Sequence, residues 1–116
     1  MAKTVTAQSP DSKRKMRVPV LAEKGPFCVA RCVDFREGKR KVMRLYCVYL
    51  TKLGAGFRPD FTRKAPAVKA MNLLAGIKGN WDRPFEKLDK DQKLKVKYTE
   101  VLSRIKVECG EWIRLA

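Results

Sequence analysis

Four cysteines and no histidine set the chemistry open to this chain. Thiolates ligate soft metals or attack electrophiles, so Cys28, Cys32, Cys47 and Cys109 are the first residues to weigh. They are separated by three, fourteen and sixty-one residues. None of these intervals is the CxxC knuckle that puts two thiolates on one ion, and without histidine a zinc site would have to be all Cys. The spacing favours buried thiols acting as small apolar side chains, and neither a metal nor another cofactor is expected. Four thiols in a chain of 116 residues are also too sparse for a disulfide framework. Free thiols fit an intracellular, reducing compartment, cytoplasm or nucleus.

The acids offer little to catalysis. Asp34, Asp60, Asp82 and Glu86 are scattered singly, and no spacing places two carboxylates in one site. With no imidazole, a general acid or base near neutral pH would need a strongly shifted carboxylate, Lys or Cys. The expected class is a non-enzyme.

The cations are the informative residues. Lys and Arg number 27 against 12 Asp and Glu, a formal charge of +15. Residues 1–17 hold five cations and one anion, so residues 18–116 still carry 22 against 11. A compact domain with that excess repels itself unless an anionic partner screens it, which makes a polyanion the default partner and nucleic acid the first candidate. No run of 18 apolar residues is present, and "MAKTVTAQSPDSKRKMR" lacks the apolar stretch of a secretory leader, so no membrane partner is expected. Residues 1–17 read as a flexible basic arm. Its "KRKMR" fits a phosphate-touching tail better than a nuclear address, because such short runs are common.

These residues need elements to position them. At this length the remainder, residues 18–116, fits a single domain. Val, Phe, Tyr and Leu dominate 27–35 and 40–50, which predicts an antiparallel hairpin over residues 27–50. Pro19 marks residues 18–21 as an edge strand at most. "TKLGAGFRPDFTRK", residues 51–64, reads as a loop. A helix over about 66–78 follows, with Pro66 in its first turn, an apolar stripe of Val68, Met71, Leu74 and Ala75, and Gly79-Asn80 as its stop. A second helix over about 90–109 opens on an Asp89/Gln92 capping box. Leu94, Tyr98, Val101, Leu102, Ile105 and Cys109 form its core face; Lys90, Lys93, Lys97 and Arg104 form the opposite one. "EWIRLA" reads as a short strand or a packed terminal turn. The fold class is α+β: a small antiparallel sheet of about two to four strands packed on two C-terminal helices. So narrow a sheet makes homodimerisation across an edge plausible.

With Glu37-Gly38 as a two-residue turn, Arg31 faces Arg44 and Val29 faces Tyr46. One face then holds Cys28, Ala30, Cys32, Met43, Leu45 and Cys47 and belongs against the helices. The other interleaves Arg31, Arg40 and Arg44 with Phe27, Phe35 and Tyr46. Guanidiniums among rings suit single-stranded nucleic acid, since cations hold phosphates and aromatic faces stack bases. Lys39, Arg40 and Lys41 at the turn add phosphate contacts. Phe57, Arg58, Phe61, Arg63 and Lys64 repeat the mixture in the glycine loop, where Gly54 and Gly56 would let backbone approach a phosphate. Phe57 and Phe61 are at least as well suited to anchoring that loop to the core.

The sequence therefore points to non-enzymatic nucleic-acid binding, with DNA and RNA both open. Two alternatives stand beside it. One is a structural subunit of a ribonucleoprotein or other anionic assembly; the other is a regulator that binds an acidic protein surface.

Overall fold

The computed structural model describes residues 3–8, 14–35, 40–109 and 112–113; for Arg58, Pro59, Phe85, Trp112 and Ile113 it describes the backbone alone. The Glu37-Gly38 turn, Lys39 and the Arg58 side chain lie outside the described residues.

Parts of the segment whose composition suggests a flexible arm form strands. Thr4–Gln8 (β1) alternates polar and apolar residues, and its Val5 and Ala7 are buried. It pairs antiparallel with Lys15–Pro19 (β2), placing Val5 opposite Val18. The cationic side chains Lys15 and Arg17 face solvent, so a basic composition coexists with one apolar face.

A five-stranded antiparallel meander follows, in the order Ala22–Lys24 (β3), Phe27–Asp34 (β4), Lys41–Leu50 (β5), Ala55–Phe61 (β6) and Trp112–Ile113 (β7). The expected loop 51–64 thus contains a strand: residues 51–54 turn and β6 pairs along β5. Its Pro59 masked the strand in the sequence. Proline is tolerated there because the β5–β6 register is irregular between Tyr46 and Val48.

Helix Lys64–Ala75 (α1) accepts Pro66 in its first turn, where no intrahelical N–H bond is lost. It ends at Gly76, whose N–H donates to Leu73 O, three residues before the expected Gly79. A short helix, Phe85–Asp89 (α2), precedes Gln92–Glu108 (α3). The cap of α3 is Asp91, not Asp89: Asp91 Oδ1 accepts from the Leu94 N–H at 3.0 Å, while Asp89 ends α2. Asp91 Oδ2 also accepts from Arg83 Nη2 at 2.7 Å, tying the α2–α3 turn. The two helices match the expected ones to within about two residues at most ends, and the fold is α+β.

Two clusters divide the core. Phe27, Val29, Val48, Leu50 and Phe61 pack against Ala67, Met71 and Leu74 of α1 and Leu94 and Ile105 of α3. On the opposite face of the same sheet, Cys28, Ala30, Cys32, Cys47 and Tyr49 pack against Val5, Ala7 and Val18. The cysteine face is therefore covered by β1–β2, and the helices take the other face, reversing the expected assignment. Both faces were apolar, but only the one with Phe and Leu has bulk enough to fill the gap to a helix layer. Burying each such side chain contributes about 1.5–3 kcal/mol.

Gly54 joins the layers. Its φ of 68° needs glycine, its carbonyl accepts from the Gln8 N–H at 3.2 Å, and a Cβ there would strike the carbonyl oxygen of Thr6. Gly25 has a similar φ of 57° but open space around it. Gly25→Ala should thus cost only the backbone strain, about 1 kcal/mol, and Gly54→Ala at least twice that, read as urea midpoints. Equal losses would show that β1 does not bear on the turn.

The Arg83 guanidinium, then the Leu94 amide, hold the Asp91 carboxyl below the ordinary carboxylate range. A depressed folded value contributes stability above the unfolded carboxylate pKa, near 4, and loses it as pH falls through the folded value. Asp91→Asn keeps a capping acceptor without the titration, so its stability should fall less steeply with acid than that of wild type in denaturation series across that range.

Candidate functional site

The β4–β5 hairpin is buried at one end and bare at the other. Phe27–Ala30 and Cys47–Leu50 are buried, whereas Lys41, Val42 and Arg44 are exposed and Arg31, Val33, Asp34, Met43, Leu45 and Tyr46 are half-buried. Toward the turn this two-stranded ribbon carries Arg31, Arg40, Lys41 and Arg44, while Cys32, Val33, Met43 and Leu45 still pack on the cysteine-face cluster.

The ladder is not continuous along that ribbon. Asp34 pairs with Lys41 and Val33 with Val42, as the two-residue turn predicts, but beyond the irregularity Arg31 pairs with Tyr46. Met43, Arg44 and Leu45 together oppose Cys32. The Arg31–Arg44 pair therefore does not form. Like charges directly across a ladder are unfavourable, and the bulge replaces that pairing with a guanidinium set 4.6 Å over the Tyr46 ring centroid. Two extra residues is an even number, so the alternation of faces survives on both sides.

The other expected contacts divide. Phe61 pairs with Tyr46, so Arg63 and the exposed Lys64 leave β6 alongside the stretch of β5 that carries Arg44. Phe35 is half-buried against the cysteine-face cluster. Phe57 is taken up by the core, with ring centroids 5.6 Å from Phe27 and 5.4 Å from Tyr98, and Phe61 is fully buried. Gly54 contacts β1, and Gly56 lies beside the Tyr49 ring, so neither glycine forms a phosphate cradle. Of the expected rings, Tyr46 alone lies among the ribbon cations, beneath Arg31.

Sequence spacing missed a second constellation. Cys32 on β4, Cys47 on β5 and Asp60 on β6 are all buried, and their ligand atoms lie within 4.8 Å of one another. Two bulges bring them together: three residues of β5 oppose Cys32, and three of β6, Arg58, Pro59 and Asp60, oppose Cys47. The hydrogen bond with Cys47, then burial, then the neighbouring Cys47 and Asp60 charges push the Cys32 thiol well above its ordinary value. Burial, then Cys47, pushes the Tyr49 phenol up as well, so Tyr49 is a neutral donor, and its O–H donates a hydrogen bond to the Arg31 carbonyl at 2.9 Å. The sequence signal was present in the placement of Cys32 and Cys47 on one face of neighbouring strands.

A hollow of about 260 Å³ lies on the helix side, lined by Leu50, Phe57, Trp81, Leu88, Leu94 and Tyr98. No described helix is long and apolar enough to cross a membrane. The chain matches no family model, no curated protein and no solved structure.

Tyr49→Phe should leave the Arg31 carbonyl short of a donor at the bulge and cost about 1–3 kcal/mol by urea denaturation. A neutral substitution would show that the bulge holds without that bond.

Proposed function

We propose that this chain is a non-enzymatic nucleic-acid-binding protein that contacts phosphates through the exposed cations at the turn end of the β4–β5 ribbon. The observation that carries the reading is the disposition of Arg40, Lys41 and Arg44. All three are exposed, stand where the core ends, and have no ion-pair partner among the described residues. Arg31 over Tyr46 fixes a fourth cation at the base of the ribbon. A two-stranded ribbon has the width that a duplex major groove admits, and its cations can meet the phosphates on either side.

Single-strand stacking has less support in the geometry than phosphate contact. Phe57 and Phe61 are occupied in the core, and the Tyr46 face is covered by a guanidinium. The binding we propose therefore draws on charge more than on rings, with duplex bound at least as tightly as single strand.

The cations of α3 make a natural comparison. Lys95 pairs with Asp89 at 3.2 Å and Arg104 with Glu108 at 2.9 Å, while Lys97 donates to the Lys78 carbonyl. These are engaged within the fold.

Affinity for duplex and single-stranded DNA and RNA should fall steeply with salt, by about 0.9 log units per log unit of salt for each duplex phosphate neutralised and about 0.7 for single strands. The Arg40→Ala/Arg44→Ala variant should flatten that slope by about two phosphates' worth, and Lys95→Ala/Arg104→Ala by much less. Weak, salt-independent binding of every nucleic acid by the wild type would refute the reading. An unchanged slope in the ribbon variant would move the site elsewhere.

A further inference from the structure

We propose that Cys32, Cys47 and Asp60 bind one zinc-class divalent cation on the sheet face beneath β1–β2. This inference is independent of nucleic-acid binding and uses none of the ribbon cations. Three consecutive strands each contribute one donor, and the three donor atoms already lie within 4.8 Å of one another. Around a tetrahedral ion, with Zn–S near 2.3 Å and Zn–O near 2.0–2.2 Å, such donors stand roughly 3.3–3.8 Å apart. Small side-chain rotations close the difference without moving the strands.

The residue types choose the ion. Two sulfurs and one carboxylate oxygen form a borderline-soft set that suits Zn²⁺; Mg²⁺ and Ca²⁺ require oxygen ligands throughout. The surroundings fit as well. Val5, Ala7, Val18 and Ala30 belong to the same apolar cluster as the two cysteines, and Asp60 is buried beside them. Three protein donors leave the fourth tetrahedral position to water.

The local backbone gives the second, separate reason. A regular β4–β5–β6 ladder would put Cys32 opposite a single β5 residue and Cys47 opposite a single β6 residue. Instead each cysteine faces a two-residue insertion, and Asp60 belongs to the second. Bulges of this kind re-aim side chains and concentrate beside functional sites. Here two successive bulges converge on the same three donors.

Binding releases the two thiol protons as the Zn–S bonds form, so uptake should be accompanied by acidification of an unbuffered solution. The deciding experiment titrates the reduced full-length chain with Co²⁺ and then Zn²⁺. We expect one equivalent per chain, a thiolate-to-cobalt charge-transfer band of two-thiolate intensity, tetrahedral visible bands, and displacement by Zn²⁺. Zn²⁺ should raise the melting temperature and a chelator should reverse the rise. Cys47→Ser and Asp60→Asn should weaken binding at least 10-fold, while Cys28→Ser and Cys109→Ser should leave it unchanged. The wild-type spectrum decides the matter even where a variant fails to fold. Absence of thiolate-to-cobalt bands in the reduced chain would overturn the proposal. So would equal uptake by the Cys32→Ser/Cys47→Ser variant, or a Cys32–Cys47 disulfide in the isolated chain with no metal uptake after reduction.

Discussion

The central constraint is that β4 and β5 are apolar and buried on both faces at one end, while toward the hairpin turn their burial gives way to half-buried and exposed side chains. Phe27, Val29, Val48 and Leu50 point one way, and Cys28, Ala30, Cys47 and Tyr49 the other, all buried. A sheet region with two apolar faces needs two covers. The helices supply one, and β1–β2 supplies the second, which is why a lysine- and serine-rich opening segment is drawn into strand pairing. Beyond residues 31 and 46 the cover thins: Cys32 stays buried and Val33, Phe35, Met43 and Leu45 half-buried against the cysteine-face cluster, while Arg40, Lys41, Val42 and Arg44 are exposed. Layers, ribbon and the path of the N-terminal segment all follow from that one gradient.

The bulges are the second organising feature. Each inserts an even number of residues, so the faces are preserved while the lateral pairings change. The first separates Arg31 from Arg44 and seats Arg31 on Tyr46, removing a repulsion that a regular ladder would have imposed. It also leaves Cys32 opposite a stretched segment of β5, and the second bulge does the same for Cys47. One irregularity therefore serves the charged outer surface and the buried polar cluster at once. Tyr49 links the two, since its hydroxyl bonds the carbonyl of Arg31 while its ring belongs to the cysteine-face cluster.

The parts that were legible in the sequence share a long, strict period. The core face of α3 shows in the recurrence of Leu94, Tyr98, Val101, Ile105 and Cys109, and the hairpin in its dense Val, Tyr and Leu. What misled was local composition. Gly54, Gly56 and Pro59 made β6 look like a loop, although the glycines serve a positive φ and close packing, and the proline sits at a bulge. Lys, Ser and Pro hid the alternation of Val5, Ala7 and Val18. The bulges had no local signature at all, because they follow from covering the sheet rather than from any turn residue. The Cys32, Cys47 and Asp60 cluster was accordingly invisible to a spacing rule built for knuckles, and the expected Arg31–Arg44 pair was an artefact of an uninterrupted ladder. The candidate ribbon residues Arg31, Arg40, Lys41, Arg44 and Tyr46 were legible, since their grouping needs only the hairpin.

A net charge of +15 costs a folded chain self-repulsion, and that cost falls with distance between like charges and with solvent between them. Along α3, acids or backbone carbonyls engage Lys95, Lys97 and Arg104. On the ribbon no such compensation is needed for stability, because Arg40, Lys41 and Arg44 are solvated. Removing them should hardly disturb the fold, since none of the three has an ion-pair partner among the described residues. The core thus tolerates the excess charge by holding it outside the region where burial supplies the stability.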